Sequence, residues 1–262
     1  PAHLPAGLAG PNSGVCPPQT PAEASDMATG EPFDWNDESM RSRMFVASAR
    51  DPRFARTLIY NGATFKGQPV QSYVGGRNGR PLDGATSTSY YLRKHIVEAT
   101  SFVTGSEMSY QHIFPFFRYA EVLLNYAEAL AAATQNPDFT GMKGEVEYTL
   151  SPREALNAVR ARYNMPGITE TDYAAFVKRL RNERRVELAF EGHRFWDIRR
   201  WKIGAETTKV YGLTITPQND GSFSYMRSVI QQRGWEDRMN FYPIADAELF
   251  KNHNLVQNDG WK

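Results

Sequence analysis

Ala, Leu and Glu dominate the run from Phe117 to Ala133, no glycine or proline interrupts it, and Asn136-Pro137 closes it. Such a run has few alternatives to helix, since strong helix formers lose little side-chain freedom there and Pro cannot continue the backbone pattern. A second segment follows at once. Ser151-Pro152-Arg153-Glu154 offers an N-cap hydroxyl, a proline at the first helical position and a glutamate three residues after the cap, and Met165-Pro166-Gly167 ends the run. That pattern predicts a helix over 152–163. A third is predicted from Thr169 or Thr171 to Gly192, because Tyr173, Phe176, Val177 and Leu180 fall on one stripe. Helices joined by short loops predict antiparallel helical hairpins, with irregular excursions over 205–240.

The first part of the chain has another texture. Prolines recur over residues 1–37, and Pro17-Pro18-Gln19-Thr20-Pro21 predicts ordered loop or linker without sustained helix. Over residues 51–105, β-branched and aromatic clusters (57–60, 70–74, 89–96) alternate with Asn61-Gly62, Gly75-Gly76, Asn78-Gly79 and Asp83-Gly84. Those dipeptides suit tight turns and predict short strands with long loops. The expected organisation is a mainly α fold. A loop-rich region with short β-strands spans 1–110 and an α-helical region spans 111–262, both parts of one domain.

Composition narrows the function. With 262 residues, 41% of them hydrophobic, the chain can bury roughly three quarters of its unfolded surface in a real core. Lys and Arg number 30 against 29 Asp and Glu, and no single-sign run forms a stripe to follow a phosphate backbone, which argues against nucleic acid. The apolar window 120–133 is broken by Glu121, Asn125 and Glu128 and falls short of the ~20 residues that cross a bilayer. Cys16 is the sole cysteine, so no internal disulfide forms, and it reads as a free loop or structural thiol. Pro1-Ala2-His3 opens without a basic or apolar leader, and the expectation is a fragment whose targeting segment lies elsewhere.

Catalytic signatures are sparse. The histidines His3, His95, His112, His193 and His253 never stand at ligand spacing, and no nucleophile elbow or phosphate-binding glycine loop occurs. Glu183, Glu187 and Glu191 recur at i,i+4 and would line one helix face, the kind of placement that could pair carboxylates for glycoside hydrolysis. Arg179, Arg184, Arg185 and Arg194 are interleaved with them, so the preferred reading is an ionised salt-bridge lattice and not a general acid. Trp196 and Trp201 flank Asp197, Arg199 and Arg200, and are expected to seal a helix end against the core more than to stack a ligand.

Several motifs occur together in order. Phe117 to Ala129 reads Phe-Arg-Tyr-Ala-Glu-Val-Leu-Leu-Asn-Tyr-Ala-Glu-Ala, Leu156 to Arg162 reads Leu-Asn-Ala-Val-Arg-Ala-Arg, and the run from Asn182 to Trp201 contains Glu-Gly-His-Arg-Phe-Trp-Asp-Ile-Arg-Arg-Trp. With Asp51-Pro52-Arg53-Phe54, Tyr90 to Lys94 and the tail from Tyr242 to Trp261, the chain resembles the SusD/RagB family over about residues 17–262. The resemblance implies a fold of tetratricopeptide-like helical hairpins, mostly in an N-terminal half outside this chain, supporting a less regular loop-rich region. It also implies a non-enzymatic lipoprotein on the extracellular face of the outer membrane of Bacteroidetes-type bacteria. Such a protein binds oligosaccharide without a cofactor, pairs with a SusC-like TonB-dependent transporter, and would carry its lipid anchor upstream of Pro1. A glycoside hydrolase, and a capture protein for peptides or glycoproteins, are the alternative readings.

Sugar recognition needs rigid aromatic faces beside hydrogen-bonding groups on exposed backbone, so the ligand is expected on the loop-rich part. The candidates are Trp35, Tyr60, Phe65 and Tyr73, with Asn61, Arg77 and Asn78 as polar partners. The helices near 117–133 and 152–163 are further expected to leave an apolar face exposed.

Overall fold

A computed structural model describes residues 5, 16–100, 105, 107–111, 113 and 115–261. In chain order the first part carries α1 (Gln19–Ala24), α2 (Glu38–Ser42), α3 (Pro52–Thr57) and four two-residue strands, β1 (Leu58–Ile59), β2 (Thr64–Phe65), β3 (Gln68–Pro69) and β4 (Tyr91–Leu92). The second part holds α4 (Tyr119–Thr134), β5 (Gly141–Lys143), β6 (Val146–Tyr148), α5 (Pro152–Ala161), α6 (Tyr173–Glu187), α7 (His193–Arg200), β7 (Lys209–Pro217), β8 (Phe223–Gln232) and α8 (Asp246–Lys251). The strands pair only two at a time, all antiparallel: β1 with β4, β2 with β3, β5 with β6 and β7 with β8. The fold is therefore helix-rich with small scattered strands, as expected. Among the described residues no helix is long and apolar enough to cross a membrane.

Local chemistry explains the long helices. At α5 the Ser151 Oγ accepts from the Glu154 N–H at 3.2 Å while Glu154 Oε2 accepts from the Ser151 N–H at 2.8 Å, satisfying two orphan donors reciprocally. Asp172 caps α6 by accepting from the Ala175 N–H at 2.8 Å. Gln135 adopts a left-handed conformation (φ 53°) that ends α4 just before Asn136-Pro137. Helices α4, α5 and α6 then bury Leu123, Leu124, Ala127, Leu156, Val159, Phe176 and Leu180 in one core.

A second core collects Phe54, Ile59, Phe65, Val70, Tyr90 and Tyr91 from the loop-rich part, together with Leu213 and Ile215 from β7. Three expectations are corrected here. Residues 209–232 are a long antiparallel hairpin with one register shift at Val210/Tyr211: Leu213 and Ile215 are buried while Thr214 and Thr216 alternate with them, and Gly221 (φ 84°) supplies the turn. Helix α1 forms despite the prolines, because Pro21 sits in its first turn, where a missing N–H costs nothing. Helix α6 stops at Glu187 and not at Gly192, since Phe190 (φ 61°) and Gly192 (φ 85°) turn left-handed and start α7 in a new direction. The hairpin is stitched to the first part by Val74 N–H donating to Ile215 O at 2.8 Å and by Ser89 Oγ donating to Leu213 O at 2.7 Å.

Candidate functional site

Glu183 and Glu187 of α6, and Glu191 in the turn beyond it, are buried. Glu183 accepts from Arg160 Nη1 at 2.8 Å and from Arg53; Glu187 accepts from Arg53 Nη1 at 3.0 Å and Arg118 Nη1 at 2.9 Å. Glu191 accepts from Lys94 Nζ at 2.6 Å and from Arg118 Nε at 2.7 Å. Asp51 holds Arg53 at 2.7 Å from the other side, and Asp26 holds Arg160 at 3.0 Å and Arg179 at 3.0 Å. At Arg53 the penalty of burial is outweighed by Glu183 and Asp51, so its pKa is raised above the ordinary guanidinium value. At Glu191 burial is likewise overcome, by Arg118 and Lys94, and the carboxyl is held below its usual range.

The lattice predicted from sequence therefore exists with other partners. Arg184 reaches Asp197 (2.8 Å) and Asn125 (2.6 Å), Arg179 reaches Asp26, and neither Arg185 nor Arg194 pairs with the glutamates. Tertiary partners are the cause: Arg179 stands four residues before Glu183 and Arg184 three before Glu187, yet Asp26, Asp197 and Asn125 from other segments take these arginines. Every carboxylate in the row is engaged by cations, so none is placed to donate a proton to a leaving group. What the network does is join Asp26, Arg53 and Lys94 of the loop-rich part to α5 and α6.

Trp201 behaves as anticipated: its indole N–H donates to Glu128 Oε1 at 2.6 Å, Arg200 clamps the same carboxylate at 2.6 and 2.7 Å, and the Arg181 guanidinium lies 4.9 Å from the ring. Trp196 does not. It is 58% exposed and forms an outward aromatic group with Phe195 (ring centroids 5.0 Å) and Tyr242 (6.1 Å). Tyr242 comes from the tail, so only the tertiary fold assembles this group.

The seven candidate ligand residues separate by depth. Tyr60 is buried between Phe45 (5.4 Å) and Phe54 (4.7 Å), and Phe65 is fully enclosed. Asn61 Oδ1 accepts from the Ser72 N–H at 3.2 Å, while Asn78 Oδ1 accepts from the Gln71 N–H at 3.0 Å and Asn78 O accepts from the Tyr91 hydroxyl. Those four are buried and hold the turns from beneath. Trp35, Tyr73 and Arg77 keep accessible surface. Tyr73 packs on Phe223 of β8 at 5.1 Å, Trp35 lies 5.9 Å from the Arg41 guanidinium and accepts its Nη1 at the backbone carbonyl (3.0 Å), and Arg77 reaches Gln68 and the Pro69 carbonyl. Asn-Gly and Gly-Gly turns marked where the chain bends; they did not distinguish a side chain above the turn from one below it.

Fold and site together define a helix-rich scaffold that braces a loop-rich surface through buried ion pairs. A family model described as the SusD family matches residues 6–261, and this chain belongs to that family. A SusD-like protein from Bacteroides fragilis superposes with a TM-score of 0.73 at 27% identity, covering 95% of this chain and 48% of that one. A SusD-like carbohydrate binding protein from the same species gives a TM-score of 0.68 at 30% identity, covering 93% and 48%. The SusD-like protein P2 of Formosa agariphila is 33% identical over 146 residues, covering 54% of this chain and 24% of that protein. The chain thus spans about half the length of these solved structures and matches about a quarter of that curated relative.

Proposed function

We propose that this chain is part of a non-enzymatic protein on the extracellular face of the outer membrane, attached by a lipid outside this chain, that captures oligosaccharide and passes it to a SusC-like TonB-dependent transporter. The observation that carries the reading is family membership across residues 6–261, together with the likeness to a SusD-like carbohydrate binding protein over 93% of the chain. The rigid brace under the loops supports it, because stacking on sugar C–H faces needs aromatic rings held in place before the ligand arrives.

Trp35, Tyr73 and Arg77 form the proposed contact surface, with Tyr60, Asn61, Phe65 and Asn78 holding it from below. The test is calorimetry with a polysaccharide panel, in parallel with reducing-end release. Binding is expected without turnover, and Trp35→Ala and Tyr73→Ala are expected to weaken it, while Trp196→Ala, on the opposite part of the chain's sequence, leaves it unchanged. Measurable hydrolysis would sink the reading; loss of binding only in Trp196→Ala would move the site to the outward aromatic group.

A further inference from the structure

The buried Arg53, Arg160 and Arg184 are each paired with a carboxylate and the buried Arg50 with backbone carbonyls, whereas Arg185 of α6 and Arg194 of α7, both half-buried, have neither. Neither makes an ion pair or donates a side-chain hydrogen bond among the described residues, and no residue outside the described set carries a carboxylate side chain. Both line a cavity of about 600 Å³ between α1, α7 and the β7–β8 hairpin. Burial first, and the neighbouring charge of Arg194 second, push the Arg185 pKa down to about 10. Burial also lowers that of Arg194 against the opposing pull of Asp197 and Glu206, and its guanidinium lies 5.9 Å from the Trp201 ring. A half-buried guanidinium beside another cation is stabilised when an anion joins the two.

The rest of the cavity has the same sign. Lys209, Arg227 and Arg233 also line it, against one lining carboxylate, the exposed Glu206, which lies outside ion-pair distance of both arginines. Glu23, which acts on Arg185 through space, is already held by Arg227 at 2.6 Å. Gly192 stands at the N-cap of α7 without a side-chain cap and lines the cavity too, so the first-turn N–H groups of that helix add a positive end. Phe190, Phe195 and Tyr211 supply apolar wall. An occupant that satisfies both features carries an anionic oxygen group on a ring with an apolar face.

We propose that this cavity is a subsite for the anionic group, carboxylate or sulfate ester, of an acidic sugar. The inference rests on the carbohydrate-binding reading and adds the class of glycan. Arg185 and Arg194 receive the charge, and Phe190 borders the ring. A neutral sugar would leave the two guanidiniums as they are, whereas an acidic one converts their repulsion into charge-assisted hydrogen bonds.

The test is calorimetry of the whole chain with three sets of oligosaccharides of matched length: neutral, uronate-bearing and sulfated. One acidic set is expected to bind at least about tenfold more tightly than the neutral set, the worth of one or two charge-assisted bonds. Arg185→Gln and Arg194→Gln are expected to remove that margin and leave neutral binding unchanged, and which acidic set loses it tells carboxylate from sulfate ester. Arg56→Gln, away from this cavity, controls for general attraction. Folding is not at risk, because removing a half-buried charge that has no ion pair is expected to keep or raise the melting temperature. Acidic and neutral sugars bound alike, or an acidic margin that survives Arg185→Gln, would overturn the subsite while leaving the proposed function standing. Failure of every glycan to bind would overturn both.

Discussion

Glu183→Gln isolates what the internal network is worth. The side chain is 2% exposed and bonds two guanidiniums, Arg53 and Arg160, so the substitution keeps its volume and removes the only charge. Breaking a buried pair by neutralising one partner costs about 3–5 kcal/mol, because the other charge stays buried. Here the remaining partners soften the loss: Arg53 keeps Asp51 at 2.7 Å and Glu187 at 3.0 Å, and Arg160 keeps Asp26 at 3.0 Å. The expected cost is therefore near the lower bound, about 3 kcal/mol, which in a chain of this size lowers the melting temperature by roughly 6–12 °C. Urea unfolding followed by far-ultraviolet circular dichroism measures it, with the midpoint falling and the slope unchanged. A variant within about 0.5 kcal/mol of the parent would refute the reasoning, since a change that small belongs to a surface residue.

Acid should act through Glu191, whose carboxyl is held below its ordinary range once Arg118 and Lys94 overcome burial. A folded-state pKa lower than the unfolded one gives stability that is complete above the unfolded value and lost as pH falls through the folded one, so the melting temperature should drop on acidification below pH ~5, and less steeply in Glu191→Gln. The other outcome concerns the start of α4, where Phe117 is 84% and Tyr119 72% exposed beside Val122. The chain is expected to bind hydrophobic dye and self-associate at high concentration, and Phe117→Asp should reduce both; a monomer that binds no dye would contradict this.

Much of the helical scaffold was legible because its determinants are local. The capping box of Ser151 and Glu154 and the breaker at Asn136-Pro137 each act within a few residues, and α5 starts and α4 ends where those signals stand, whereas α6 is capped by Asp172 and not by the expected Thr169 or Thr171. The hairpin at 209–232 was not. Only Gly212, Leu213 and Ile215 are buried on β7, and β8 has no fully buried residue, so alternation is faint and the strands owe their pairing to each other and to Ser89 and Val74 across the fold.

The site shows the same division. Spacing alone put Glu183 and Glu187 on one helix face, with Glu191 falling past the end of α6, and the excess of arginine nearby announced ion pairing. Which cations answer was decided by tertiary structure: Arg53 stands 130 residues from Glu183, Lys94 97 residues from Glu191 and Arg118 69 residues from Glu187. Depth was decided there as well, since Tyr60 and Tyr73 look alike in the sequence and only packing encloses one while leaving the other at the surface. The meeting of Arg185 with Arg194 left no trace in the order of residues, because the turn at Phe190 and Gly192 sets α7 against α6 and charges are indifferent to sequence distance. Caps and periodicity act through neighbours in the chain, whereas burial and Coulomb interactions act through neighbours in space, which exist only after folding.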